Sequence, residues 1–324
     1  MSELTLGVAC SHGPSIQNQP ESWAKLAEKD VRDPRFNYKE LLTVARPGLD
    51  AEVKIEVQRE RYAAAIRGIN ALSDRVAQAD VDVFVVVSNV HQVRRKEPRP
   101  VFGILRSAEF AAAEVTGRIH DPSILHKDGV DYPARASMAG MPGRPDLANH
   151  LIEGLIDDGF DIACIDQLAD GSMLDEAFSF CYKWLFADKA IPIVPFMLSR
   201  DLPNQATPRR CVELGRALRE QIEAFPADIK VGLVASGGLS HQVVDEDLDH
   251  QVIDALLASD FDTLGGLSRE RLNRGPGTPE ILNWITVAAA MAPTSMELLD
   301  YLPCYRSVAS TGHGVAFGCW TPQE

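Results

Sequence analysis

The chain has no apolar run approaching the roughly 18 residues that a membrane-spanning helix requires, so its sequence offers no transmembrane segment. It opens on MSELTLGVAC without a basic stretch or a long apolar core, so no secretory signal is expected and a cytoplasmic location is the default. Cysteine is sparse: six residues (10, 164, 181, 211, 304 and 319) are scattered with no C-x-x-C pair, which argues against a zinc ribbon or a disulfide framework and for reduced, buried thiols. Positive charge is short as well. With 32 Lys and Arg against 46 Asp and Glu the formal charge is −14, whereas nucleic acids and anionic membranes call for dense positive patches. Neither is an expected partner. Internal repeats, low-complexity tracts and long Pro/Gly/Ser linkers are missing too, so one domain over residues 1–324 is expected.

What is present is an alternation. Runs rich in Val, Ile, Leu and Phe recur at 4–10, 81–88, 100–106, 160–168, 191–198 and 229–236, and runs this apolar suit strands covered on both faces. Helical patterns separate them at 51–80, 145–160, 208–225 and 278–292. The alternation predicts an α/β domain with a central, mostly parallel or mixed sheet flanked by helices. Two last runs, 304–310 and 314–320, flank a glycine-containing turn and predict a closing hairpin. The stretch 107–144 reads as a long ordered loop, a candidate active-site rim or oligomer contact.

In such folds ligands collect at strand ends, because a rigid scaffold there carries free loops. Three of the eight histidines stand at such ends: His12 after 4-LTLGVACSH-12, His91 after 81-VDVFVVVSNVH-91, and His241 in 235-ASGGLSHQ-242. His120, His126, His150 and His250 lack that setting, and His313 lies on the glycine turn 310-STGHG-314. Each histidine alone has an ordinary structural reading. Together, two imidazoles and one carboxylate would make a metal site with open positions on one face, suited to ferrous iron, O2 and an organic ligand. The best-placed carboxylate is Glu280, after 274-RGPGTP-279 and at the start of an apolar helix, although an acidic residue there also complements the helix dipole. Near His91 the run 94-RRKEPR-99 is either a solvated loop or, through Arg94 or Arg95, a grip on an anionic substrate group.

The segments SHGPSI (11–16), SNVHQ (88–92), EGLIDDGFDIA (153–163), ASGGLSHQ (235–242), PEILNWITVAAAM (279–291) and STGHG (310–314) span nearly the whole chain in order. In them the chain resembles the class III extradiol ring-cleavage dioxygenases, the family of the protocatechuate 4,5-dioxygenase catalytic subunit. The resemblance implies Fe(II) held by His12, His91 and Glu280, and His241 as the base beside a bound aromatic diol. On that view Gly237 and Gly238 let the backbone turn sharply beneath the substrate. Beside Arg94 or Arg95, Ser310, Thr311 or His313 on the C-terminal glycine turn are the expected additional contacts for an anionic substrate group. The chain departs from the family at 175-DEAF-178, where Glu176 stands in place of an expected histidine and implies an altered substrate or proton route. The implied partners are a small aromatic substrate and O2, with either a small helical second subunit or homo-oligomerisation, since the chain leaves no room for a fused copy. Two other classes stay open: a zinc hydrolase, although an H-E-x-x-H helix is missing, and a silent relative that only binds.

Overall fold

The computed structural model describes residues 2–89, 100–112, 138–168, 174–187 and 189–322. His91, Arg94, Arg95, His120 and His126 therefore lie outside the described residues. The predicted strands form, in order, β1 (Glu3–Cys10), β2 (Val83–Asn89), β3 (Phe102–Leu105), β6 (Ile162–Ile165), β7 (Ile193–Leu198) and β8 (Lys230–Ser236). The closing hairpin forms from β10 (Glu297–Tyr305) and β11 (Thr311–Trp320), with its first strand starting seven residues earlier than its sequence pattern suggests.

These strands make one mixed sheet of order β10-β11-β1-β8-β2-β7-β3-β6, and β9 (His241–Val243) pairs with β11 at its side. Its centre, β1, β8, β2 and β7, is parallel. On one flank β11 runs antiparallel to β1, and on the other β3 runs antiparallel to β7. Pro195 can occupy a central strand because β3 pairs only with Phe196–Leu198, which leaves the proline outside that ladder.

Alternate residues of each central strand feed two different cores, which is why these strands read as continuous apolar runs. Val83, Val85 and Val87 face the helices Pro145–Asp157, Pro208–Ala224, Glu246–Leu257 and Ile281–Met291. Phe84 and Val86 face the other way, against residues of the helices Ile55–Gln78 and Glu176–Trp184. The helix Pro145–Asp157 shows how the local signals agree: Pro145 opens it, and Leu147, Ala148, Leu151, Ile152 and Leu155 make its buried stripe. Among the described residues no helix is long and apolar enough to cross a membrane.

Three expectations change. The stretch 107–144 is not loop throughout, since β4 (Glu109–Ala112) and β5 (Met138–Pro142) pair antiparallel. His241 does not stand at the end of β8 but opens the separate strand β9, five residues further on. Of the two glycines between them, Gly237 alone has a positive φ, 148°, so the sharp turn belongs to it. The six cysteines are all free; five are buried and Cys164 is exposed.

Candidate active site

The parallel strands β1, β2, β7 and β8 all point the same way, so the residues after them gather along one edge of the sheet. His12 follows β1, Asn89 ends β2, Arg200 follows β7, and Ser236 ends β8. The antiparallel β11 begins at this edge and brings His313 opposite His241. Glu280 comes from the other side, in the single 3-10 turn Thr278–Glu280 that leads into the fully buried helix Ile281–Met291.

That helix is tied to two strand ends by its first turn. Asn283 Nδ2 donates to the Ser236 carbonyl at 2.9 Å and to Asn89 Oδ1 at 2.8 Å, and Trp284 Nε1 donates to the Gly237 carbonyl at 2.9 Å. Glu280 is thereby carried to the His12 side of the edge, where its side chain is 0% exposed. Its Oε2 lies 3.7 Å from His12 Nε2 and 3.6 Å from His241 Nδ1, and accepts the Gly238 amide at 3.1 Å. Its Oε1 accepts from Arg200 Nη1 at 2.8 Å.

The His12 tautomer follows from its neighbours. Ser236 Oγ donates to the Ala177 carbonyl at 2.5 Å, so its lone pair is left to accept from His12 Nδ1 at 3.0 Å. With the proton on Nδ1, the Nε2 lone pair faces Glu280. Two electron-pair donors then look at one another across 3.7 Å, a spacing that an ion with bonds of roughly 2.0–2.2 Å to each would bridge. A hydrogen-bonded second ring nitrogen is the usual support of a ligating histidine. Among the described residues no three His, Cys, Asp or Glu side chains form a complete metal cluster, and the expected third ligand, His91, lies outside them. The donors that are described fit a divalent metal.

His241 is held on several sides. Its backbone amide donates to Thr278 Oγ1 at 3.0 Å, and its ring meets His313 edge-on at 4.4 Å between centroids. Gly277 and Gly13 line the remaining faces: a Cβ on either would come within 2.5 Å and 3.0 Å of the imidazole. This explains Gly277 of 274-RGPGTP-279, which leaves room for the ring, while Gly275 leaves room for the His241 carbonyl, which a Cβ there would approach to 2.5 Å. His313 is itself buried, with Nδ1 at 2.6 Å from Ser15 Oγ and Nε2 without a hydrogen-bond partner among the described residues. Burial, then the neighbouring His241 and Arg306, hold its pKa well below the usual imidazole value.

Of the other expected site residues, Glu176 opens a helix and is buried. Its neighbour Ala177 is the acceptor of the Ser236 hydroxyl that orients His12, so the 175-DEAF-178 segment does reach the site. Thr311 uses its hydroxyl on Ser307 Oγ at 2.7 Å, and the Ser310 carbonyl accepts from the Val244 amide at 2.8 Å. Both hold the β11 turn. Arg200, Ser236, Asn283 and Ser15 escape the sequence reading. Arg200 carried a usable signal, since it follows a strand as His12 does.

Comparison with known proteins adds the following. The pattern of the family described as "Catalytic LigB subunit of aromatic ring-opening dioxygenase" matches residues 51–316. A gallate dioxygenase of Pseudomonas putida is 30% identical over 190 residues, and the match covers 52% of this chain and 52% of that protein. The chain thus spans about half the length of that curated relative. The crystal structure of an uncharacterized Escherichia coli K12 protein, JW3007, covers 98% of this chain and 99% of its own at 16% identity and a TM-score of 0.45, a likeness too slight to support a conclusion.

Proposed function

The chain belongs to the family of the catalytic LigB subunit of aromatic ring-opening dioxygenase, and on that premise we propose that it is an extradiol-type dioxygenase that opens a catecholic ring with O2. The observation that carries the metal-dependent part is the convergence of His12 Nε2 and Glu280 Oε2 at 3.7 Å. His12, Glu280 and His91 would hold the ion, with His91 proposed from its place two residues after β2. What ferrous iron supplies at such a site is adjacent open positions for an aromatic diol and for O2.

The chain's own residues do the rest. His241 takes a proton from a substrate hydroxyl, as an imidazole fixed beside the Glu280 carboxylate, which stabilises the cation formed, is suited to do. His313, kept neutral by burial, stands edge-on to His241 and adds no second positive charge next to it. Gly13 and Gly277 pack against the His241 ring, so that a side chain at either position would collide with it. Glu176 is proposed to adapt the site to a substituent different from the one a histidine would grip. Arg94 and Arg95, with Ser310, Thr311 and His313, are the proposed contacts for an anionic or hydroxylated ring substituent. The gallate activity in the name of the Pseudomonas putida relative makes a carboxylated polyhydroxybenzene one candidate. Within the assembly, a second copy or a small helical subunit is the proposed partner.

The test is reconstitution with Fe(II) under anaerobic conditions, followed by oxygen-electrode assays on catechols, gallates and aminophenols with the parent and Glu176→His. Iron-dependent O2 uptake on one class is expected, and the variant should shift the preference. Substrate turnover that proceeds equally without O2 points instead to hydrolysis. No turnover and no iron binding would leave only a binding role.

A further inference from the structure

We propose that Arg200 is a positioning residue for the metal centre: its guanidinium holds Oε1 of Glu280 and restricts that carboxylate to coordination through Oε2. The inference rests on the metal-dependent reading above and goes beyond it by assigning separate work to the two carboxylate oxygens. Oε1 is engaged by Arg200 Nη1 at 2.8 Å. Oε2 accepts the Gly238 amide at 3.1 Å and faces His12 Nε2 at 3.7 Å.

Arg200 is built into this place rather than draped over it. It stands two residues after β7 ends, on the edge where β1, β2 and β8 also end. Its side chain is 12% exposed, against 0% for the carboxylate it meets. Its backbone is pinned as well: Gln205 Nε2 donates to the Arg200 carbonyl at 2.7 Å, and Gln205 exchanges amide hydrogen bonds with Asn273 at 3.1 and 3.2 Å.

Two effects of the guanidinium oppose one another. It repels an incoming cation, which weakens metal binding. It also supplies a counter-charge and a hydrogen bond that keep a fully buried carboxylate turned towards His12, which strengthens metal binding. The second prevails, because Arg200 bonds the oxygen turned away from His12, through Nη1 to Oε1, and leaves Oε2 to face the imidazole. A carboxylate with one oxygen so engaged offers a single donor to the metal. That leaves positions open for two ligands from outside the protein.

The test uses the full chain stripped of metal by a chelator and titrated with Co(II), with the affinity read from its visible absorption and the fold from thermal unfolding of the metal-free form. R200M should weaken Co(II) binding by about 10–100-fold, the range for losing a hydrogen-bonded support of a metal ligand. R200K, which keeps the charge but not the planar fork, should recover part of that loss. Unchanged or tighter binding by R200M overturns the proposal while leaving the metal site standing. Equal losses in R200M and R200K assign Arg200 to packing alone and also overturn it. If the parent binds no Co(II), the metal-dependent reading fails and this inference fails with it. Should R200M not fold, R200Q takes its place, keeping an N–H donor without the charge, and parental affinity in R200Q overturns the proposal.

Discussion

An imidazole with Gly13 and Gly277 against its faces and His313 at its edge has few orientations left, and that restriction is what a proton acceptor requires. His241 therefore differs from His12 in the work proposed for it, although both lie within 3.7 Å of Glu280 Oε2. Replacing His241 with Ala should cut turnover by ~10²–10⁴, the usual range for losing a general acid–base group. Iron content, measured on the same preparation, should stay near the parental value. Loss of iron in parallel with turnover would make His241 a ligand instead. At this scale the sequence was legible where a residue type carried its own chemistry: His12, Glu280, His241 and His313 lie together, although His241 does so from β9 and not from the end of β8. It was not legible where meaning depends on distant pairing. Arg200 acquires its role from a residue 80 positions away, and Ser236 from Ala177, 59 positions away.

Among the elements, the link from β8 to β9 carries the most conformational demand. Gly237 has φ 148°, a backbone region that side-chain-bearing residues rarely adopt, and a Cβ there would lie 2.9 Å from Glu280 Cβ and 3.0 Å from Asn283 Nδ2. Gly48 also has a positive φ, 87°, yet nothing lies within 4 Å of its would-be Cβ. Comparing the two separates strain from collision. Gly48→Ala should cost about 1 kcal/mol. Gly237→Ala should cost roughly 2–4 kcal/mol, because overpacking adds to the strain, and should also weaken metal binding by displacing Glu280. Urea unfolding of both variants checks the difference, and equal losses would place the whole effect in the backbone. The elements themselves were readable where both faces of a strand are buried, as in β2, whose seven residues are all buried. They were less readable where pairing is local and short. β9 has three residues and β4 has four, too few for alternation to register, and they are held in place by β11 and β5. The helix Glu246–Leu257 was missed for another reason: its opening, EDLDH, is crowded with charge that hides the apolar stripe of Leu248, Val252, Ile253 and Leu256.

Across the whole molecule, two buried groups near the site pull stability in opposite directions as pH changes. Asp249 accepts from the Ser240 amide at 2.7 Å, from Ser240 Oγ at 2.6 Å and from Tyr301 Oη at 2.8 Å, and so ties the loop before His241 to β10. Burial outweighs these hydrogen bonds and pushes its pKa up to about 7 from an ordinary 3.8. A carboxyl with a raised folded pKa binds its proton more tightly in the native state. Its contribution is fully present below about pH 4 and is lost as pH rises through about 7. His313 does the reverse: its lowered pKa means that the native state refuses a proton which the unfolded chain accepts, so stability is gained as pH rises towards about 6.5. Each slope is about 1.4 kcal/mol per pH unit where one proton is at stake, so the two oppose one another below about pH 6.5, and the Asp249 slope is fully developed between about pH 4.5 and 6.5. Asp249→Asn removes one of them. The variant's unfolding free energy, measured by urea titration across that window, should therefore climb with pH by about 1.4 kcal/mol per unit more steeply than the parent's. Other carboxylates and histidines contribute equally to both proteins and drop out of the comparison. A constant difference between parent and variant across the window would mean that Asp249 stays ionised in the native state, with its three hydrogen bonds prevailing over burial.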